Sequence, residues 1–480
     1  MQQNDTLKKN SIKSIFSLFF QSGYAAILGF VANFVLSIFL TPATFGIYIT
    51  VLSLIAFLNY FSDIGLAASL IQKKEIDDED IKTVFTVQQL LITSLIILGL
   101  FSTSFVQNFY KLEPNGVYLF WALLISFYIS SLKTIPSILL EREINFQKIV
   151  TVQVVENTIF YISVTIGALL HFGLMSFTVS VLLRAIVGLV LMYRISPWKI
   201  KIGISFGRLR KLLHFGFSFQ SSSLLALFKD DLMTLFLSKL LGFEAMGYIG
   251  WAKKWAEAPI RIIMDNLSKV LFPVLSRVQT EKDKLQQVIE KMLYYQTMIL
   301  APTTVGIALL MPIFVKIIPK YQKWEIALPM LFLFCISAFL SSFSTPFINL
   351  FNALGKASLS LVFMIVWTVL TWVLTPLLTL RFGIMGFALT QVILSATCFV
   401  VMWQARRFVP FHVLRIVSPF ILAAGAMAGG VLFFTRMTTP SPLTFVTAGL
   451  LGVILYLSVL YFVFRKNPVQ ETLALFIKHV

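Results

Sequence analysis

TPATFGIYITVLSLIAFLNYFSDIGLAASLIQKKEIDDEDIK, residues 41–82, is the stretch from which the fold can be read. A turn at Thr41-Pro42-Ala43-Thr44 opens an apolar run that reaches Ile71, and a charged connector, residues 72–82, closes it. An apolar run of roughly 20 residues is long enough to cross a bilayer as a helix. This run nevertheless carries Asn59 and Asp63 in its second half. An ionisable group at such depth is costly unless it faces protein or water.

The pattern returns some 200 residues on. Residues 242–248, GFEAMGY, echo the Pro42–Tyr48 turn, with Gly247 matching Gly46. Asp265 falls where Asp63 predicts it, and QTEKDK at residues 279–284 echoes the charged connector. The chain therefore reads as duplicated, and membrane-spanning repeats usually make a transporter whose site lies where the repeats meet.

Composition supports a membrane protein. The 480 residues are 58% hydrophobic and 12% charged, with mean hydropathy +0.87. A soluble domain carries about twice that charge fraction. Apolar runs of spanning length follow one another with short connectors, whereas a β-barrel would show short alternating segments. The expected fold is an all-α polytopic membrane protein with about fourteen transmembrane helices: two pseudo-symmetric six-helix lobes plus two C-terminal helices. Residues 1–200 form the first lobe, 201–411 its repeat, and 412–480 the accessory pair. The polar segment 196–211 joins the lobes and reads as the linker about which they rock.

The net charge of +18 does not point to nucleic acid, because the basic residues sit in short connectors. The positive-inside rule orients the chain. Connectors assigned to the cytoplasm hold clusters such as Lys8, Lys9 and Lys13, or Arg208, Arg210 and Lys211, while the outer ones hold isolated bases such as Lys111 and Arg381. This bias supports an even number of spans with both termini cytoplasmic. The apolar segment after Lys13 is too long for a cleavable signal peptide and reads as the first span.

Cys335 and Cys398 lie inside apolar runs and read as small buried side chains; neither a disulfide nor a metal site is expected. The four histidines form no ligand spacing. The sequence shows no Walker A, HExxH or GxSxG motif, no cofactor is expected, and no loop is long enough to house soluble chemistry.

The eighth helix is the most informative. Gly247, Gly250, Lys254, Glu257, Arg261 and Asp265 recur at spacings of three and four, so they share one helix face, with Lys253, Trp251 and Trp255 beside it. A charged stripe on a spanning helix faces protein or a wet cavity; the alternative is that its members pair with one another and only brace the helix. Ser53, Asn59 and Asp63 form a weaker counterpart on the second helix. Lys133, Glu156, Arg184 and Lys229-Asp230-Asp231 are further charges in apolar runs. Lys133 can instead snorkel, Lys229 can be neutralised by its acidic neighbours, and Asp63 and Asp265 can instead cap or brace helices. The bases Lys253, Lys254, Arg261, Arg184, Lys229 and Lys133 are the candidate substrate-binding residues. Asp63, Asp265 and Glu156 are candidates for coupling to a proton or sodium gradient.

Several short motifs carry a family likeness: LTPATFGIY at 40–48, FSDIGL at 61–66, LIQ at 70–72, LLG at 240–242, MGY at 246–248, Ala258-Pro259 and LFPVLS at 271–276. In order and spacing they resemble the polysaccharide exporters of the multidrug/oligosaccharidyl-lipid/polysaccharide superfamily, nearest the Wzx and colanic-acid-exporter type. The resemblance implies alternating access by two six-helix lobes, a lipid-linked oligosaccharide as substrate, the bacterial inner membrane as location, and a glycan polymerase and chain-length protein as partners. It does not imply an enzyme. The competing functions are a drug/cation antiporter or a peptidoglycan-precursor flippase of the same superfamily, a membrane glycan polymerase, and a scaffold.

Overall fold

Helix boundaries follow from caps and breaks in the sequence. The computed structural model describes residues 2–73 and 75–465, without the side chains at 2–16, 18–19, 211, 214–223, 265–266 and 269–270. All regular elements among these residues are helical. In chain order they are α1 (Gln2–Phe39), α2 (Pro42–Asp63), α3 (Leu66–Gln72), α4 (Asp78–Phe101), α5 (Thr103–Tyr110), α6 (Pro114–Ser131), α7 (Thr134–Arg142), α8 (Phe146–Leu169), α9 (Met175–Ile195), α10 (Phe206–Leu241), α11 (Phe243–Arg277), α12 (Lys282–Ile317), α13 (Leu328–Ser342), α14 (Ser344–Ala353), α15 (Ala357–Phe382), α16 (Met385–Ala396), α17 (Cys398–Ala405), α18 (Val413–Met437) and α19 (Pro442–Ser458).

The turn at residue 41 is a helix start. The Thr41 hydroxyl accepts a hydrogen bond from the Thr44 amide at 3.2 Å, and Pro42 fills the first helical position, where a missing N–H costs nothing. The same device opens α19, where Ser441 accepts from the Thr444 amide at 3.1 Å and Pro442 follows. Between α2 and α3, Ile64 and Gly65 have positive φ and break the helix.

Among the described residues, eleven helical segments are long and apolar enough to cross a membrane. They become twelve if α6 and α7, bent by 42° relative to each other, count as one span. The protein is thus a multi-pass membrane protein. Of the fourteen helices expected, α10 and α11 are the two outside this set. They have 36 and 35 residues, or roughly 50 Å at 1.5 Å per residue. Their described parts hold charges such as Lys229, Asp230 and Asp231 in α10, and Lys253, Lys254, Glu257 and Arg261 in α11. α11 runs unbroken through Pro259 and Pro273.

The chain divides into two compact units, residues 1–247 and 248–480. In the first, α8 packs against α1 and α9, α6 against α9, and α10 against α2, α3 and α4. Packing therefore assigns α10 to the first unit, while the duplicated pattern begins its second copy at 201. Helices α8 and α9 are antiparallel and close-packed through small residues. A Cβ on Gly167 would meet the Ser176 Cβ at 2.9 Å, the kind of contact that lets helices approach in a bilayer. In the second unit, α12 packs against α13, α18 and α19, and α16 against α13 and α15. The Tyr456 hydroxyl donates to the Met298 carbonyl at 2.8 Å, tying α19 to α12. Trp251 and Trp324 stack at 5.2 Å between ring centroids.

The linker is not a free hinge. Its Gly203 and Ser205 amides donate to the Thr86 and Thr83 hydroxyls at 3.0 and 3.1 Å. Trp198 meets Phe85 edge-on at 5.0 Å. Lys201 pairs with Asp78 and Arg208 with Asp77, each at 2.5 Å, and Asp80 takes both Lys73 and Arg208. The acids that cap α4 thus also bind the linker to the first unit. The Asp80 amide, and then Arg208, hold the Asp77 carboxyl below its ordinary 3.8. A depressed acid contributes stability that is complete above its ordinary value and lost as pH falls through the lower folded value. The linker should therefore stay docked from neutral pH down to about 4 and loosen below that. Hydrogen exchange at residues 199–205 should show it, and Asp77→Asn should loosen the linker already at pH 7.

Candidate functional site

All six residues of the expected stripe lie on α11, five of them with described side chains. From Ala245 to Ala256 most side chains are buried and Lys254 is the exposed one, whereas from Glu257 to Ile263 every side chain is at least partly open, Arg261 and Ile262 fully so. Lys254, Glu257 and Arg261 therefore lie on the open side of the helix, together with apolar neighbours such as Ile262. Arg261 donates to one Glu257 oxygen through Nη2 at 2.9 Å and Nε at 3.2 Å. Lys253 lies 3.8 Å from the other Glu257 oxygen and 5.8 Å from the centre of the Phe387 ring. Lys254 has no ion pair among the described residues. Lys253 and Arg261 share the one acid and Lys254 stands beside them, so bases outnumber acids three to one along the strip. The Asp265 side chain lies outside the described residues.

Within the first unit, Lys133 and Glu156 form an ion pair. Lys133 caps the start of α7, beside the bend from α6, and Glu156 projects from α8 with only 5% of its side chain exposed. A Cβ on Gly188 of α9 would fall on the Glu156 carboxylate, so the glycine makes room for the acid. A buried pair of this kind costs about 3–5 kcal/mol to break from one side, because the other charge is left uncompensated. Lys133→Met alone should therefore destabilise the protein by about that amount, and Lys133→Met with Glu156→Leu should recover most of it. Thermal unfolding in detergent measures both.

Asp63 sits at the break between α2 and α3 and accepts a hydrogen bond from the Ala67 amide at 3.0 Å, which braces the start of α3. Lys229 is 3.9 Å from Asp230, and Asp231 accepts a hydrogen bond from Ser53 on α2. Arg184 is exposed on α9 and lies 5.7 Å above the Phe160 ring, without an ion pair among the described residues. The structure thus brings together Lys253, Glu257 and Arg261 on one helix, and Lys133 with Glu156 across two. Among the described residues no group of three or more His, Cys, Asp or Glu side chains is placed to hold a metal ion.

The chain and its fold have counterparts among known proteins. Residues 35–329, more than half of the chain, match the polysaccharide biosynthesis protein family. The chain belongs to that family. The succinoglycan biosynthesis transport protein ExoT of Rhizobium meliloti is 25% identical over 336 residues, covering 69% of this chain and 67% of the relative. The lipopolysaccharide biosynthesis protein WzxC of Escherichia coli is 24% identical over 383 residues, covering 78% and 77%. Among solved structures, the lipid II flippase MurJ in its inward closed conformation superposes with a TM-score of 0.74 at 16% identity, over 93% of this chain and 99% of that one. A multidrug resistance transporter of the MATE family, in an inward-facing conformation, gives 0.62 at 15%, over 80% and 95%. At such identities the structures establish the fold.

For this member of the polysaccharide biosynthesis family, sequence reasoning did not single out Gly188, the residue that makes room for Glu156. The one signal was spacing: Gly188 follows Arg184 by four residues, on the face that meets α8.

Proposed function

We propose that the protein is an alternating-access flippase that moves undecaprenyl-pyrophosphate-linked oligosaccharide across the bacterial inner membrane for assembly of a surface polysaccharide. The observation that carries this reading is the exposed cationic strip on α11, in a family whose members include proteins named for polysaccharide biosynthesis and transport. A pyrophosphate cannot enter hydrocarbon cheaply; by Born estimates an unpaired ion costs tens of kcal/mol. Lys254 as a point charge, and Arg261 and Lys253 as donors shared with Glu257, offset that cost. Arg184 and Lys229 add positive charge elsewhere on the chain. The polyprenyl tail stays in lipid.

In this reading α10 and α11 also cross the membrane, giving fourteen spans with both termini cytoplasmic. Residues 1–200 and 201–411 are the repeated lobes and 412–480 the accessory pair. Since the chain carries no Walker A motif, the drive is an ion gradient or consumption of the glycan outside. Of Asp63, Glu156 and Asp265, Glu156 best suits ion coupling, because its carboxylate is buried beside an exchangeable partner, whereas Asp63 is engaged by the α3 backbone. A glycan polymerase and a chain-length protein would act on the product.

The deciding experiment deletes the gene and follows lipid-linked oligosaccharide by mass spectrometry. Accumulation in the inner leaflet, reversed by the intact gene, is the expected result. Unchanged lipid-linked pools together with new drug sensitivity would replace the flippase by an antiporter.

A further inference from the structure

Arg184 is exposed for a reason other than contact with lipid. The lipid-facing stripe of α9 is Val179, Leu183, Ile186 and Val190, all exposed at spacings of three and four. Arg184 lies about 100° around the helix from Leu183. It belongs instead to the stripe Phe177, Ser180, Arg184, Gly188, whose other members are all buried. Gly188 faces Glu156 on α8, and Phe177 stacks on Tyr48 of α2 at 4.0 Å with an interplanar angle of 13°. The face that exposes Arg184 is therefore lined by protein, from α2 and α8.

Its surroundings are aromatic and phenolic. Phe160 lies beneath the guanidinium, and Tyr161 meets Phe160 edge-on at 5.3 Å. Tyr48 of α2 also lies against the Phe160 ring, 6.5 Å between centroids and 26° from parallel. The Tyr161 hydroxyl rests against Gly29 of α1, where a Cβ would come within 2.9 Å of it. One turn along α8, Glu156 and Lys133 cancel each other, so the neighbourhood carries a single net positive charge.

That composition differs from the strip on α11. A pyrophosphate attracts several bases; here one base stands among ring faces and two phenols. A pyranose presents an apolar C–H face that stacks on aromatic rings, and a rim of hydroxyls. Arginine offers five N–H donors, and a phenol both donates and accepts. We propose that Arg184, Tyr48 and Tyr161 form a saccharide-recognising subsite, which selects a pyranose unit of the cargo, separate in chemistry from the phosphate-binding strip. The proposal rests on the flippase reading and assigns Arg184 to the sugar.

The test uses the full chain in lipid nanodiscs and two probes: undecaprenyl pyrophosphate, and the lipid-linked oligosaccharides extracted from a strain lacking the gene. Arg184→Gln should weaken the glycan-bearing probe about tenfold, and Tyr161→Phe by a few-fold, as expected for loss of charged and neutral hydrogen bonds. Binding of undecaprenyl pyrophosphate should stay within about twofold. The conservative Tyr161→Phe keeps the ring packing, so it remains informative if Arg184→Gln fails to fold. Equal weakening of both probes by Arg184→Gln would make Arg184 a phosphate ligand and overturn the subsite, as would no weakening of either. If the wild-type protein bound neither probe, the flippase reading would fall, and the subsite with it.

Discussion

Lys254→Glu is expected to reduce export of lipid-linked oligosaccharide by roughly a hundredfold with protein levels unchanged. The three bases of the α11 strip are not equivalent. Arg261 spends two of its N–H groups on Glu257, and Lys253 shares the same acid at 3.8 Å. Lys254 is exposed and has no carboxylate partner among the described residues, so its charge is the most available to an incoming anion. A charge-assisted hydrogen bond contributes about 1.5–3 kcal/mol, and reversing the sign adds repulsion, which together give the hundredfold figure. Lys254→Arg keeps the charge and should stay within several-fold. Glu257→Gln works in the opposite sense: it frees Arg261 and Lys253, so binding should tighten and release slow. Thermal unfolding of the purified variants separates a loss of transport from a loss of the fold. A Lys254→Glu strain that exports at the wild-type rate would take the strip out of the substrate path.

The polytopic fold was legible because bilayer thickness writes itself into the length of apolar runs. The two helices that carry most of the candidate chemistry blur that signal for the same physical reason. α10 and α11 hold charges inside spanning-length segments, so among the described residues an apolarity criterion passes over them. Spacing of three and four found the α11 stripe, since its members lie on one helix. No such period links Lys133 to Glu156, which are 23 residues apart on different helices and meet only through the α6–α7 bend and the room left by Gly188. Arg184 was visible as a charge in an apolar run, but its aromatic neighbours come from α2 and α8, and a ring in a spanning helix looks the same whether it faces lipid or a sugar. The polar segment 196–211 was legible as a linker from its composition, but not its hydrogen bonds to Thr83 and Thr86, which join residues more than 100 positions apart.

Gly46→Ala and Gly247→Ala are each expected to destabilise the protein by about 3 kcal/mol, the upper end of the cost of over-packing. The sequence pairs these two glycines as equivalents in the repeat, and the structure crosses their backbones. A Cβ on Gly46 would run into the Phe243 carbonyl, and one on Gly247 into the Pro42 carbonyl. Both obstacles are backbone atoms in helices, so no change of rotamer relieves them; α2 and the start of α11 would have to separate. A polar tie beside the crossing resists that movement, because the Thr50 hydroxyl of α2 reaches both the Gly46 carbonyl and the hydroxyl of Ser238, near the end of α10 that leads into α11, each at 2.7 Å. One movement relieves both clashes, so the double variant should cost less than the sum of the singles. Gly429→Ala is the control: nothing lies within 4 Å of its added Cβ, and in the interior of α18 alanine is favoured over glycine by up to about 1 kcal/mol. Melting temperatures in detergent and the amount of protein recovered from membranes report the effect. Wild-type melting of Gly46→Ala would mean that the two helices are not held in contact at this crossing. The duplicated glycine is then explained without any functional argument: each copy of the turn must let the other pass at backbone distance, and a residue with no side chain meets that requirement in both.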